Sequence, residues 1–296
     1  MNSRAFAIFA LFMVQVLYGL NYTFAKVVMN ENYIKPFAFV VLRVGGAAIL
    51  FWLFSFLLPR EKIERKDYFR FFVAAVFGVV INMLLFLKGL ELTTPIHASA
   101  IVTITPVIIL ILSAVILNEK VTALKVIGIF LALCGALVLT VYGKSTRSGD
   151  NVILGNTFIF INAISYSIYI ILIKQLTKKY HPFTFIKWLF LFGFFMVVPF
   201  GYNELSDIQW ETFTPYVSFS VGFVIVGATF ATYILNPFAL SKLKASTVGV
   251  FIYLQPVIAG LFAIIMGVDA IDVIKVIAMA LIFSGVYIVS IKPKKV

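Results

Sequence analysis

The residues able to do chemistry in this chain are few, and they recur at helical spacing inside long apolar stretches. Gln15, Tyr18 and Tyr22 lie along one stretch with Asn21 beside them, and Asn82 and Phe86 stand four apart. Ser99, Thr103 and Pro106 share a helical face, as do Gly249, Tyr253 and Pro256, with Gln255 adjacent. Asn162, Tyr166 and Tyr169 form another set, and Thr229, Tyr233 and Asn236 the last. Amides, phenols and hydroxyls donate and accept hydrogen bonds but are poor nucleophiles and poor acids at neutral pH. Their chemistry is recognition. A buried amide in an apolar medium is costly unless paired, so Gln15, Asn82, Asn162, Asn236 and Gln255 must face an interior. There they either line a cavity or bond between helices. The candidate binding set is Tyr18, Asn21, Tyr22, Asn82, Phe86, Thr103, Asn162, Tyr166, Tyr233, Asn236, Tyr253 and Gln255.

Bond-making chemistry would need a nucleophile with its base, or a metal set, at the same depth. The sequence holds no HExxH, no GxSxG and no pair of carboxylates within an apolar stretch. Its two histidines, His97 and His181, stand near segment ends, and Cys134 lies in an apolar run. No enzyme activity, metal or cofactor is therefore expected, and proton coupling is not assigned. Rings of charge or a filter motif, as a channel would need, are absent too. Arg43 is the ionisable exception. It follows Pro36 by seven residues, roughly 10 Å along a helix at about 1.5 Å per residue. Intramembrane charge marks function by default, but snorkelling to the nearer interface is the first expectation. Lys88 and Glu91 read as an ion pair at a helix end, and Lys26 and Lys174 as interfacial anchors.

The elements that must position these residues follow from composition. Of 296 residues, 62% are hydrophobic and only 12% charged, with a mean hydropathy of +1.07. Soluble domains carry about twice that charge, so water is not the solvent. Ten stretches approach the roughly 20 residues that span a bilayer: 5–28, 36–58, 68–90, 98–117, 123–142, 152–173, 182–200, 215–240, 246–266 and 273–291. The fold class is all-α and polytopic. Ten crossings put both termini on one side. That side receives 17 of the 24 basic residues against four of the 12 acids, which places it in the cytoplasm. The net charge of +12 thus reads as orientation, not as a nucleic-acid surface. The expected location is the bacterial inner (plasma) membrane, with lipid and a small molecule as the partners.

A shift of 150 residues lays Leu90–Val141 on Leu240–Ile291 without a gap. Only nine of the 52 positions agree, so the special residues decide. Thr105-Pro106-Val107 falls on Gln255-Pro256-Val257, Glu119 on Asp269, Thr122 on Asp272 and Gly135 on Gly285. A shift of 148 pairs Tyr18 with Tyr166 and Lys26 with Lys174. Two units of five crossings, 1–145 and 146–296, must insert in opposite senses, as inverted repeats around a central cavity. Pro106 and Pro256 should kink their helices, because each removes a hydrogen bond to the carbonyl four residues back, on Val102 and Ile252.

The Ala98-Ser99 helix start, Pro106-Val107, the Leu117-Asn118-Glu119 turn and Gly128 with Gly135 together resemble the EamA domain of the drug/metabolite transporter superfamily. Segments 91–138 and 241–289 resemble its two copies; the second departs with Gly267-Val268-Asp269 at the turn and Ala278 in place of Gly128. The resemblance implies a ten-helix secondary transporter working by alternating access. Its substrate would be an amino acid or related metabolite, with export the first expectation and metabolite import or drug efflux the alternatives. Small residues on the fifth segment (Gly128, Ala132, Ala136) and the tenth (Ala280, Ser284) permit close helix contact, within a monomer or in a homodimer.

Overall fold

A computed structural model describes residues 3–30, 33–56, 61–93, 98, 101–142, 151–265 and 272–291. Ser99, His97 and Asp269, named above, lie outside the described residues. The helices are α1 (Ser3–Asn30), α2 (Pro36–Ser55), α3 (Arg65–Leu92), α4 (Thr105–Leu117), α5 (Ala123–Tyr142), α6 (Val152–Leu176), α7 (Pro182–Ser206), α8 (Pro215–Lys242), α9 (Ala245–Val250 and Leu254–Ile265) and α10 (Val273–Ser290). No strand forms among the described residues. Eight of the helices are long and apolar enough to cross a membrane; Thr105–Leu117 and Ala123–Val138 are shorter and apolar. The chain is a polytopic all-α membrane protein.

Local chemistry sets the helix ends. Pro36, Pro182 and Pro215 open their helices at the position where a missing N–H costs nothing. Asn151, Thr214 and Asp272 accept from the N–H groups of Leu154, Val217 and Lys275 at 3.1, 3.3 and 2.9 Å. Asn118 closes α4 in the left-handed conformation, at φ 52°, which Asn tolerates better than most residues. The sequence ends the seventh helix at Phe200, but α7 runs on to Ser206. Glu204 explains the extension, since its carboxylate accepts from the N–H groups of Phe37 and Ala38 at 2.8 and 3.0 Å. The last turn of α7 therefore caps the first turn of α2.

The packing repeats under exchange of the two halves. α5 lies against α10 and α2 against α7; α3 on α6 is mirrored by α8 on α1, and α4 on α6 by α9 on α1. The hydrogen bonds repeat as well. Lys26 Nζ donates to the Leu90 carbonyl at 3.2 Å, and Lys174 Nζ to the carbonyls of Leu240 and Leu243. These lysines, expected as interfacial anchors, make specific bonds to neighbouring helices. Each satisfies the orphan carbonyls at the C-terminal end of a neighbouring helix, where a cation also suits the helix dipole. Glu61 likewise accepts from the His181 N–H at 3.0 Å, the counterpart of Glu204 on α2. Arg4 Nη2 donates to the Ser290 carbonyl at 2.7 Å, so the first and last helices end side by side.

Two features break helical regularity, each twice. α3 widens into a π-helical segment at Val76–Ile81 and α8 at Phe223–Ala231, at matching places in the repeat. A π segment misaligns backbone groups that side chains must then satisfy. Here Ser165 Oγ donates to the Phe77 carbonyl and Asn162 Nδ2 to that of Asn82, both at 2.7 Å, and Tyr233 Oη donates to that of Gly78. The second break precedes the prolines. Thr103 and Ile104 form a turn before Pro106, and Phe251–Tyr253 is a 3₁₀ turn before Pro256.

α5 and α10 meet backbone to backbone. A Cβ on Gly285 would lie 2.3 Å from the Gly128 carbonyl and 2.7 Å from the Ala132 Cβ; one on Gly135 would lie 2.6 Å from the Ala278 carbonyl. The face α10 uses is Ala278, Ile282, Gly285 and Val289, while Ala280 and Ser284 point outward. The small residues expected on α5 thus pack within one chain. Gly285→Ala is expected to destabilise the purified protein by about 1–3 kcal/mol through overpacking, seen as a lowered melting temperature. Gly260→Ala, with nothing within 4 Å of its Cβ position, should leave melting unchanged.

Candidate functional site

Residues at or next to the breaks line a cavity between the halves. Its walls come from α1 (Tyr18, Asn21, Tyr22), α2 (Arg43), α3 (Asn82, Met83, Phe86), α6 (Asn162, Ala163, Tyr166) and α8 (Tyr233). The α4 and α9 breaks complete it with Val102, Thr105, Ile252 and Gln255. The cavity volume is about 90 Å³, against the roughly 10–15 Å³ that one water needs by the same measure. It therefore has room for a small solute. Nine of the twelve residues selected from the sequence line it: Tyr18, Asn21, Tyr22, Asn82, Phe86, Asn162, Tyr166, Tyr233 and Gln255.

The three others stand off the wall. Thr103 and Tyr253 are buried where a regular helix would have aimed them inward. The turns preceding Pro106 and Pro256 rotate them away, so Val102 and Thr105 on one side, and Ile252 and Gln255 on the other, take the wall positions. These are equivalent pairs, 150 residues apart. Asn236 sits behind the wall and donates from Nδ2 to Tyr166 Oη at 2.9 Å, fixing that phenol. Among the buried amides, Gln15 accepts from Gln255 Nε2 at 2.9 Å. Asn162 and Gln255 both line the cavity and bond between helices.

Arg43 was given to the interface by the sequence, and the structure moves it to the cavity. Only 4% of it is exposed, and its Nε donates to Thr229 Oγ1 at 3.1 Å. The guanidinium thus reaches the π-helical segment of α8, which holds Thr229. The Tyr22 and Phe86 rings, 5.6 Å apart and edge to face, add an apolar wall. Lys88 pairs with Glu91 at the end of α3 as expected. Among the described residues, no group of three or more His, Cys, Asp or Glu side chains could hold a metal.

Apolar helices in two exchanged halves around a cavity lined by amides and phenols are the architecture of a membrane transporter. The chain belongs to the EamA-like transporter family, whose sequence pattern matches residues 5–141 and again 153–291. It is 26% identical to the uncharacterized transporter YetK of Bacillus subtilis, over 85% of this chain and 77% of that one. An uncharacterized transporter of Archaeoglobus fulgidus is 28% identical over 92% of this chain and 94% of its own length. One crystal structure superposes with a TM-score of 0.77 over 97% of both chains at 16% identity, a likeness of fold.

Proposed function

We propose that the protein is a secondary transporter that moves a small organic solute, an amino acid or related metabolite, across the plasma membrane by alternating access. The observation that carries this reading is the cavity itself. It lies between the two halves, carries amides, phenols and a guanidinium on an otherwise apolar wall, and is bounded by the residues four before Pro106 and Pro256. Loosened helices at matching places let one half rock against the other about a fixed site. The amides and phenols suit a solute with several hydrogen-bonding groups, and Phe86 with Tyr22 suits an apolar part.

Counterflow in liposomes containing the purified protein, run against a panel of amino acids and metabolites, tests the proposal. Saturable exchange of a solute by the wild type, lost in Asn82→Ala and in Asn162→Ala with folding retained, is the expected outcome. Solute-specific exchange indifferent to both substitutions would sink the site. We further propose that both termini are cytoplasmic, which the distribution of basic residues supports. With Cys134 replaced, single cysteines in 59–67 and 143–151 are expected to react with impermeant thiol reagents from opposite sides. Labelling from the same side contradicts ten crossings.

A further inference from the structure

We propose that the transported solute presents a carboxylate, and that Arg43 is the group that selects it. The inference rests on the cavity being the solute site. A buried guanidinium in hydrocarbon surroundings needs a compensating anion or a full set of acceptors. Among the described residues Thr229 Oγ1 is its hydrogen-bond acceptor, and that hydroxyl gives its own proton to the Val224 carbonyl at 2.7 Å. The pair of bonds ties Nε to α8. Beyond it, no carboxylate among the described residues pairs with the terminal nitrogens, and none of the nine described acids lines the cavity. The planar guanidinium fork is the donor geometry that binds a carboxylate through two parallel hydrogen bonds.

The remainder of the wall agrees. Asn21 lines the cavity with a buried Oδ1 that accepts no hydrogen bond among the described residues, leaving an acceptor for an N–H or O–H of the solute. With a cation and, among the described residues, no acid in the wall, a purely cationic amine is repelled. The class selected is therefore organic acids and amino acids with a modest apolar part, and cationic drugs are rejected.

Matched probes test this with the full chain in liposomes: 3-phenylpropionate against 3-phenylpropionamide, and L-leucine against L-leucinamide. Half-saturating concentrations for counterflow are compared within each pair. In the wild type the acid is expected to be better by about tenfold or more, the scale of a charge-assisted hydrogen bond. Arg43→Gln should bring the ratio to within about twofold, and Arg43→Lys should keep part of the preference. The ratio is internal to each preparation, so a loss of folded protein does not alter it. Asn82→Ala should weaken acid and amide together. Equal handling of acid and amide by the wild type, or a ratio unchanged in Arg43→Gln, overturns the role of Arg43. If exchange in that case still depends on Asn82, the cavity stands without it. Acid-selective exchange untouched by both Asn82→Ala and Arg43→Gln removes the cavity as the site, and the proposal with it.

Discussion

Glu119→Ala is expected to destabilise the protein by about 3–5 kcal/mol, the cost of leaving a buried partner charge uncompensated. Glu119 stands in the turn after α4, and its carboxylate receives the Ala245 N–H at 2.7 Å and the Ser246 hydroxyl at 2.6 Å. Lys125 reaches the same carboxylate at 3.4 Å and the Ser246 oxygen at 2.6 Å. The two charged side chains are only 9% and 10% exposed. Removing the acid strands Lys125 and opens the first turn of α9. Because the stranded cation is the main cost, Lys125→Met added to Glu119→Ala should recover part of the loss, and thermal melts of the three variants measure it. Acid provides a second check. Burial works against ionisation of Glu119, yet Ser246, the Ala245 N–H and Lys125 outweigh it and hold the carboxyl below the usual range. A carboxyl lowered by folding stabilises above its unfolded value, and that contribution is lost as pH falls through the folded one. Wild-type stability should therefore carry an acid-dependent component that Glu119→Gln lacks.

Gly78→Ala is expected to abolish transport and to lower the melting temperature. A Cβ there would lie 2.2 Å from one carbon of the Tyr169 ring and 2.6 Å from another. Tyr169 is almost fully buried and cannot swing aside. Its ring packs 5.6 Å from that of Tyr233, whose hydroxyl holds the Gly78 carbonyl in the π-helical segment. The clash therefore displaces a residue of the cavity wall. Overpacking costs about 1–3 kcal/mol or more when surrounding atoms cannot give. Tyr169→Leu should relieve the clash, so the double variant is expected to be more stable than Gly78→Ala alone, a coupling that a mutant cycle detects. Gly222→Ala, with nothing within 4 Å, is the control. If Gly78→Ala transports normally, the π-helical segment does not position the wall.

The helices, and most of the cavity wall, were legible because both rest on local spacing. Apolar length sets a span, and an isolated amide in a span must turn inward, so Asn82, Asn162 and Gln255 could be chosen one by one. What escaped was set by partners distant in sequence. The bulge at Val76–Ile81 depends on Ser165, Asn162 and Tyr233 catching its carbonyls, and a π turn leaves no signature in an apolar run. Thr103 and Tyr253 were assigned by a helical period that fails one turn before a proline, although Pro106 and Pro256 themselves carried the warning. Arg43 was misplaced for the opposite reason. Distance from the helix start cannot say which way a long side chain turns, and Thr229, 186 residues away, decides it.

The exchanged packing of α1 also fixes an order of events during synthesis. α1 is made well before α8 and α9, yet it lies against them, and Arg4 bonds the last residue of α10. At about 5–20 residues per second, some tens of seconds pass before those partners emerge. Over that interval the amide-bearing face of α1, with Gln15 and Asn21, has no native neighbour from the second half. A chain stopped before α8 therefore leaves the amide-bearing face of α1 without the partners it has in the finished fold.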